Sequence, residues 1–158
     1  MSNDRTVSLW LNNEEGPYRA CMAMARDCLQ RAVDNESHAR SARNDAIEML
    51  AEEIEEYVCQ SMPCEKGLWG DLIQSALQDI DFEEVAKGFL EDEPIFSVFS
   101  SDAEDATLFT SVEEARQHLE DMLDDDNTMH AGLFLKVAGL KPGEVVSIDG
   151  VEYTLAES

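Results

Sequence analysis

The stretch VVSIDGVEYTL, residues 145–155, decides the fold class of this chain. Asp149-Gly150 fits a two-residue hairpin turn of type I′, because both positions of that turn need a positive φ. On either side of the turn, apolar residues alternate along two short strands, so that they share one face. That face is formed by Val146, Ile148, Val151, Tyr153 and Leu155. A hairpin with one apolar face needs a partner element, so we expect it to cover a neighbouring helix.

The preceding segment supplies that helix. Ser111 with Glu114 is a capping box, and apolar residues follow at helical spacing. They are Val112, Ala115, Leu119, Met122 and Leu123. Short apolar runs predict three further strands, at Ile95–Phe99, Thr107–Phe109 and Leu133–Val137. Residues 94–158 are therefore predicted to form a small β-α-β-hairpin unit.

The N-terminal part of the chain has helical periodicity instead. Apolar residues at spacings of three and four predict helices over 18–32, 37–60 and 68–80. Asp81 with Glu84 is a second capping box and opens a fourth helix. Val7–Leu11 is a short apolar run that predicts a strand or an extended lead-in. We predict an α+β protein with two domains: a helical bundle over 1–93 and the α+β unit over 94–158.

Charge is distributed unevenly along the chain. Residues 1–43 carry six acidic and six basic residues, whereas residues 44–158 carry 29 acidic and five basic ones. The whole formal charge of −24 thus comes from the second segment. Such a field repels nucleic acid and anionic membranes and attracts basic protein grooves. We expect no direct binding to nucleic acid or to a membrane.

The sequence contains no motif that identifies a reaction. Its eight glycines are scattered and form no phosphate-binding loop. Asp124-Asp125-Asp126-Asn127 does not fit an EF-hand in any register, because the glycine and the glutamate at fixed positions are missing. The four cysteines are expected to be free thiols, with Cys59 and Cys64 only weakly suggesting zinc. We therefore expect no catalytic residue, no cofactor and no metal ion.

Two observations bear on location. Met1–Thr6 is polar and lacks the apolar segment of a signal peptide. No run approaches the roughly 20 apolar residues of a membrane span. We expect a cytoplasmic protein.

The N-terminal part of the sequence resembles a known protein family. The string Ser8-Leu9-Trp10-Leu11-Asn12-Asn13-Glu14-Glu15-Gly16, with Tyr18, resembles the opening of small proteins encoded by bacteriophages and other mobile elements. The likeness continues at Gly67–Leu72 and Ala76–Asp81 and covers residues 7–92. Pro17 departs from it, since a leucine is expected before the tyrosine. No activity is attached to that family. Its context implies action in a host cytoplasm, as an inhibitor of a CRISPR effector or a restriction enzyme.

The acidic surface is the feature on which the functional prediction rests. We predict a non-enzymatic protein that presents carboxylates to the basic nucleic-acid-binding groove of a host complex, as a DNA mimic would. The predicted partner-binding carboxylates are Glu48, Glu52, Glu55, Glu56, Glu83, Glu84, Glu91, Asp92, Glu93, Asp102, Glu104, Asp105, Glu113, Glu114, Glu120, Asp121, Asp124, Asp125 and Asp126. A purely solubilising acidic exterior remains an alternative, and the sequence leaves the oligomeric state open.

Two other functions are compatible with the sequence. A regulatory or host-takeover adaptor would bind through apolar contacts, with Trp10 and Met24 as anchors. Trp69 lies at helical spacing and is expected in the core. A small nuclease would use Arg31 and His38, or a metal held by clustered carboxylates. A strongly acidic protein approaches a polyanion poorly, which disfavours the nuclease.

Overall fold

The computed structural model describes residues 3–36, 38–61, 67–122, 136–148 and 151–158. It is mainly helical and carries a four-stranded antiparallel sheet, which confirms the predicted α+β class. The longer helices of the described residues are α1 (Asn3–Asn13), α2 (Glu15–Asn35), α3 (Ala39–Ser61), α4 (Leu68–Gln78), α5 (Phe82–Leu90) and α6 (Val112–Asp121). The strands are β1 (Phe96–Ser100), β2 (Thr107–Phe109), β3 (Val145–Ile148) and β4 (Val151–Glu157).

The chain divides into two compact units. The first comprises Met1–Cys28 and Asn44–Asp92, and the second comprises Leu29–Arg43 and Glu93–Ser158. The sequence placed a single boundary after residue 93. The structure has a boundary one residue earlier and groups Leu29–Arg43 with the C-terminal segment. The first unit has a net charge of −13 and the second −11, so each carries about half of the total.

The regular secondary structure described in the first unit consists of helices joined by short turns. The predicted stripe of α3 is buried at Ala46, Leu50, Ile54 and Val58. α1 packs against α5, and the rings of Tyr18 and Phe89 lie 6.3 Å apart. The prediction that the Trp69 side chain belongs to the core lies outside the described part of the structure.

The predicted strand or extended lead-in at Val7–Leu11 is wrong, because these residues lie within α1. A five-residue apolar run cannot by itself distinguish a strand from a helix. Here the backbone N–H of Glu14 donates to the Trp10 carbonyl, which continues the helical pattern, and the side-chain amide of Asn12 donates to the Ser8 carbonyl. Leu11 is completely buried and anchors the helix.

The second unit contains the sheet, in the order β2-β1-β4-β3. The predicted hairpin is confirmed: Val146 pairs with Tyr153 and Ile148 with Val151. The turn residues Asp149 and Gly150 lie outside the described residues. The hairpin also packs on α6 as predicted, because Val146 and Leu155 share one core cluster with Ala115 and Leu119.

One strand predicted for this unit is not formed in its described residues. Residues 136–138 are helical, although Leu133–Val137 was predicted as a strand. Residues 133–135 lie outside the described residues. Val137 is nevertheless completely buried in the core cluster of the sheet and α6. The apolar run therefore signals burial correctly, while its length does not fix the conformation.

Two contacts attach the α2 and α3 residues of this unit to its sheet. Thr110 donates a 2.6 Å hydrogen bond from its hydroxyl to the Gln30 side-chain oxygen. Arg43 donates to the Glu93 carbonyl at 2.8 Å. Thr110 follows β2 and Glu93 precedes β1, so both contacts connect Leu29–Arg43 to segments that flank the strands.

Candidate functional site

Helix α3 separates apolar and acidic side chains onto different faces. Its buried stripe recurs every four residues, from Ala46 to Val58. Glu48, Glu52 and Glu55 are spaced by four and three residues, so they share another face, and all three are exposed. The acidic face therefore follows directly from the helical period of the sequence.

These three glutamates form one wall of a groove in the first unit, with a volume of about 450 Å³. The other wall is the turn between α4 and α5, which contributes Asp81 and Glu83. Ala51, Ile80 and Phe82 complete the lining. We call this feature the acidic groove. It combines five carboxylates with an apolar floor, and it brings together four predicted residues: Glu48, Glu52, Glu55 and Glu83.

A helix cap positions the second wall. The Asp81 side chain accepts a 3.0 Å hydrogen bond from the backbone N–H of Glu84, as the capping-box sequence predicts. This bond fixes the first turn of α5, where Phe82 turns inward and Glu83 remains exposed. Asp81 was predicted as a cap and also lines the groove, so one residue both ends the turn and adds charge.

No basic residue lines the acidic groove in the described part of the chain. The neighbouring Glu84 pairs with Lys87 at 3.5 Å on the exposed side of α5. Glu48, Glu52, Glu55 and Glu83 form no ion pair with any described basic side chain. Their charges consequently add to a local negative potential that an external cation can satisfy.

The other predicted carboxylates that the structure describes do not line this groove. In the first unit, Glu56, Glu84, Glu91 and Asp92 are exposed but line neither wall. In the second unit, the exposed ones are Asp102, Glu104, Asp105, Glu113, Glu114 and Asp121. Glu93 and Glu120 are half-buried. Asp124, Asp125 and Asp126 lie outside the described residues.

The residues proposed for other functions are placed as follows. Trp10 is 38% exposed on α1, as an interface anchor would be, whereas Met24 is half-buried. Arg31 and His38 are both exposed in the second unit. Among the residues described, no group of three potential ligands is arranged to hold a metal ion.

The cysteines differ in environment. Cys21 and Cys28 are completely buried, whereas Cys59 is exposed, and none of these three described cysteines forms a disulfide. Burial removes water from the Cys21 sulfur and raises the pKa of its thiol to about 11. Cys21 therefore remains a neutral thiol at physiological pH.

Sequence reasoning missed a second concave feature. In the second unit, a pocket of about 720 Å³ is formed by the end of α2 together with β2 and the start of α6. Asp34 and Glu36 lie on its rim, although they belong to the part of the sequence with no net charge. No local signal reveals it, because its walls are separated by about 70 residues in sequence.

The comparisons with known proteins give no relative. No protein-family model matches this chain, and neither a curated protein nor a solved structure matches it. Within the described residues, no helix is both long and apolar enough to cross a bilayer.

Proposed function

We propose that this protein is a non-enzymatic inhibitor that binds the basic nucleic-acid-binding groove of a host defence complex. The acidic groove carries the proposal, because it concentrates five carboxylates and no basic residue among its described lining. A CRISPR effector or a restriction enzyme is the expected class of target. The phage context implied by the sequence resemblance favours this class.

Charge density supports competition with DNA. Glu48 and Glu55 lie seven residues apart on α3, which corresponds to about 10 Å of helix axis. B-form DNA carries roughly six phosphate charges over the same length, counting both strands. One row of three carboxylates falls short of that density. The second wall brings the groove to five, so the two walls together approach the charge of a short duplex.

The apolar floor favours arginine and lysine as the partner's contact residues. Both side chains carry an apolar stem beneath a charged end. Such a stem can lie on Ile80 and Phe82 while its cation meets the carboxylates of the walls. A surface with carboxylates alone would attract any cation, whereas this groove also favours side chains with an apolar stem.

Competition binding tests the proposal. A purified CRISPR effector and a purified restriction enzyme are each titrated with the protein, with and without their DNA. We expect DNA to displace the protein, and raising NaCl from about 50 to about 500 mM to weaken binding at least tenfold. Binding that is indifferent to both DNA and salt contradicts a mimic of nucleic acid.

An adaptor that binds through apolar contacts is the second candidate. The exposed apolar residues of α1 support it, because Leu9 is 43% and Trp10 is 38% exposed. Replacing Trp10 with Ala should abolish adaptor binding and leave salt-dependent binding through the acidic groove almost unchanged. The same variant thus separates the two candidates in one titration series.

A further inference from the structure

The pocket of the second unit has features that the proposed function does not use. Its volume, about 720 Å³, lies in the range of small-molecule sites. Val33, Leu108 and Phe109 supply apolar lining, while Gln30 and Asn35 supply amide groups. Three carboxylates complete the lining: those of Asp34, Glu36 and Glu114.

Two independent sources make the pocket electronegative. Helix α2 ends at Asn35, so the negative end of its dipole lies at the pocket. The three carboxylates add formal charge, and none is in an ion pair with a described basic side chain. Arg31, the nearest basic residue along α2, does not line the pocket. A cation placed here is attracted by both the dipole and the carboxylates.

The geometry also limits the kind of cation. The described part of the chain holds no group of three ligands that could bind a metal ion, so these carboxylates do not converge on one point. We expect the cation to carry an apolar part, because Val33, Leu108 and Phe109 line the pocket beside the carboxylates.

We propose that this pocket binds an organic cation: an ammonium or guanidinium group carried on an alkyl chain. The charged group donates hydrogen bonds to Asp34 and Glu114, and the alkyl chain lies against Val33 and Leu108. This pocket shares no lining residue with the acidic groove, so its test does not depend on the proposed function. A free amine or a lysine or arginine side chain of another protein presents the same chemistry.

Hydrogen bonds inside the pocket leave its carboxylates available. Gln30 donates one bond to a single oxygen of Asp34, at 2.9 Å. The Thr110 hydroxyl lies 2.6 Å from the Gln30 oxygen and 3.2 Å from a Glu114 oxygen, but it has only one proton. The shorter contact to Gln30 takes that proton, so Glu114 retains its capacity to accept from a ligand.

The 158-residue protein is titrated with butylguanidinium chloride and with butylammonium chloride, and backbone amide shifts are followed by NMR. We expect saturable binding with a Kd on the order of 1–10 mM, typical of so small a ligand. Shifts should concentrate on residues 30–36, 106–110 and 114. The tripeptide acetyl-Gly-Arg-Gly-amide forms the second arm: tighter binding than butylguanidinium identifies a protein side chain as the source.

A pair of variants supplies the control. Asp34→Asn with Glu114→Gln should weaken butylguanidinium binding about tenfold, or about 1.4 kcal/mol. Glu14→Gln with Asp71→Asn removes the same charge from exposed sites of the first unit that line neither the pocket nor the acidic groove, and should change it less than twofold. Circular dichroism verifies that both variants are folded. Equal weakening by the two pairs, uniform shifts over all acidic segments, or no saturation would overturn the proposal.

Discussion

Glu52→Gln should stabilise the protein, although it removes a charge from the proposed binding surface. Glu52 lies four residues after Glu48 and three and four residues before Glu55 and Glu56. Like charges at these spacings destabilise a helix by about 0.2–0.5 kcal/mol for each pair. Removing three such pairs should raise the free energy of unfolding by about 1 kcal/mol. Glutamine has nearly the same helix propensity, so the effect isolates the charge.

Urea unfolding monitored by circular dichroism measures this gain, since urea does not screen charges. With a slope of about 2 kcal/mol per molar, the midpoint should rise by about 0.5 M at low salt. At about 0.5 M NaCl the gain should fall by half or more, because the screening length then approaches the spacing of the charges.

Glu84→Gln is the matched control for Glu52→Gln. It is also an exposed glutamate of the first unit, but it pairs with Lys87 and lies in the first turn of α5. Its replacement should lower the midpoint slightly. A Glu52→Gln midpoint equal to or below that of the unmodified protein at low salt would refute the reasoning that these carboxylates repel one another.

Three further changes test the fold. Ser111→Ala should lower the free energy of unfolding in urea by about 1 kcal/mol, because the Ser111 side chain accepts a 3.2 Å hydrogen bond from the Glu114 N–H. Ser75→Ala, inside α4, should leave that free energy unchanged. Leu119→Ala should lower the free energy of unfolding by about 2–5 kcal/mol, since Leu119 is completely buried in the core between the sheet and α6. An unchanged urea midpoint would contradict the burial of Leu119 in that core. Because burial raises the pKa of Cys21 to about 11, only the unfolded thiol ionises readily between pH 9 and 11, and the free energy of unfolding should fall by about 2 kcal/mol over that range. Cys21→Ala should lack that component of the pH dependence.

The sequence predicts those elements whose signals are local. The hairpin over 145–155 and the caps at Asp81 and Ser111 each depend on a few adjacent residues, and the structure has all three. Val7–Leu11 is misassigned because a short apolar run has no period long enough to measure. Its helix is anchored by the burial of Leu11, which is a tertiary contact.

The same distinction applies to the candidate site. The acidic face of α3 follows from residue spacing, so Glu48, Glu52 and Glu55 could be predicted to lie together. Their position opposite Asp81 and Glu83 depends on how the helices of the first unit pack. No sequence pattern connects walls that lie about 30 residues apart. The groove therefore becomes visible only in three dimensions.

Comparing two triple variants tests most directly whether the acidic groove binds a basic partner. One variant combines Glu48→Gln, Glu52→Gln and Glu55→Gln. The other removes the same charge from exposed sites outside the groove, through Glu14→Gln, Asp71→Asn and Glu157→Gln.

Affinity for the purified DNA-handling target is measured for both at about 50 mM NaCl, where screening is weak. We expect the groove variant to lose at least about thirtyfold, or about 2 kcal/mol, and the control less than about threefold. Equal losses would show that only the overall charge attracts the partner, and an unchanged groove variant would show that the groove binds nothing.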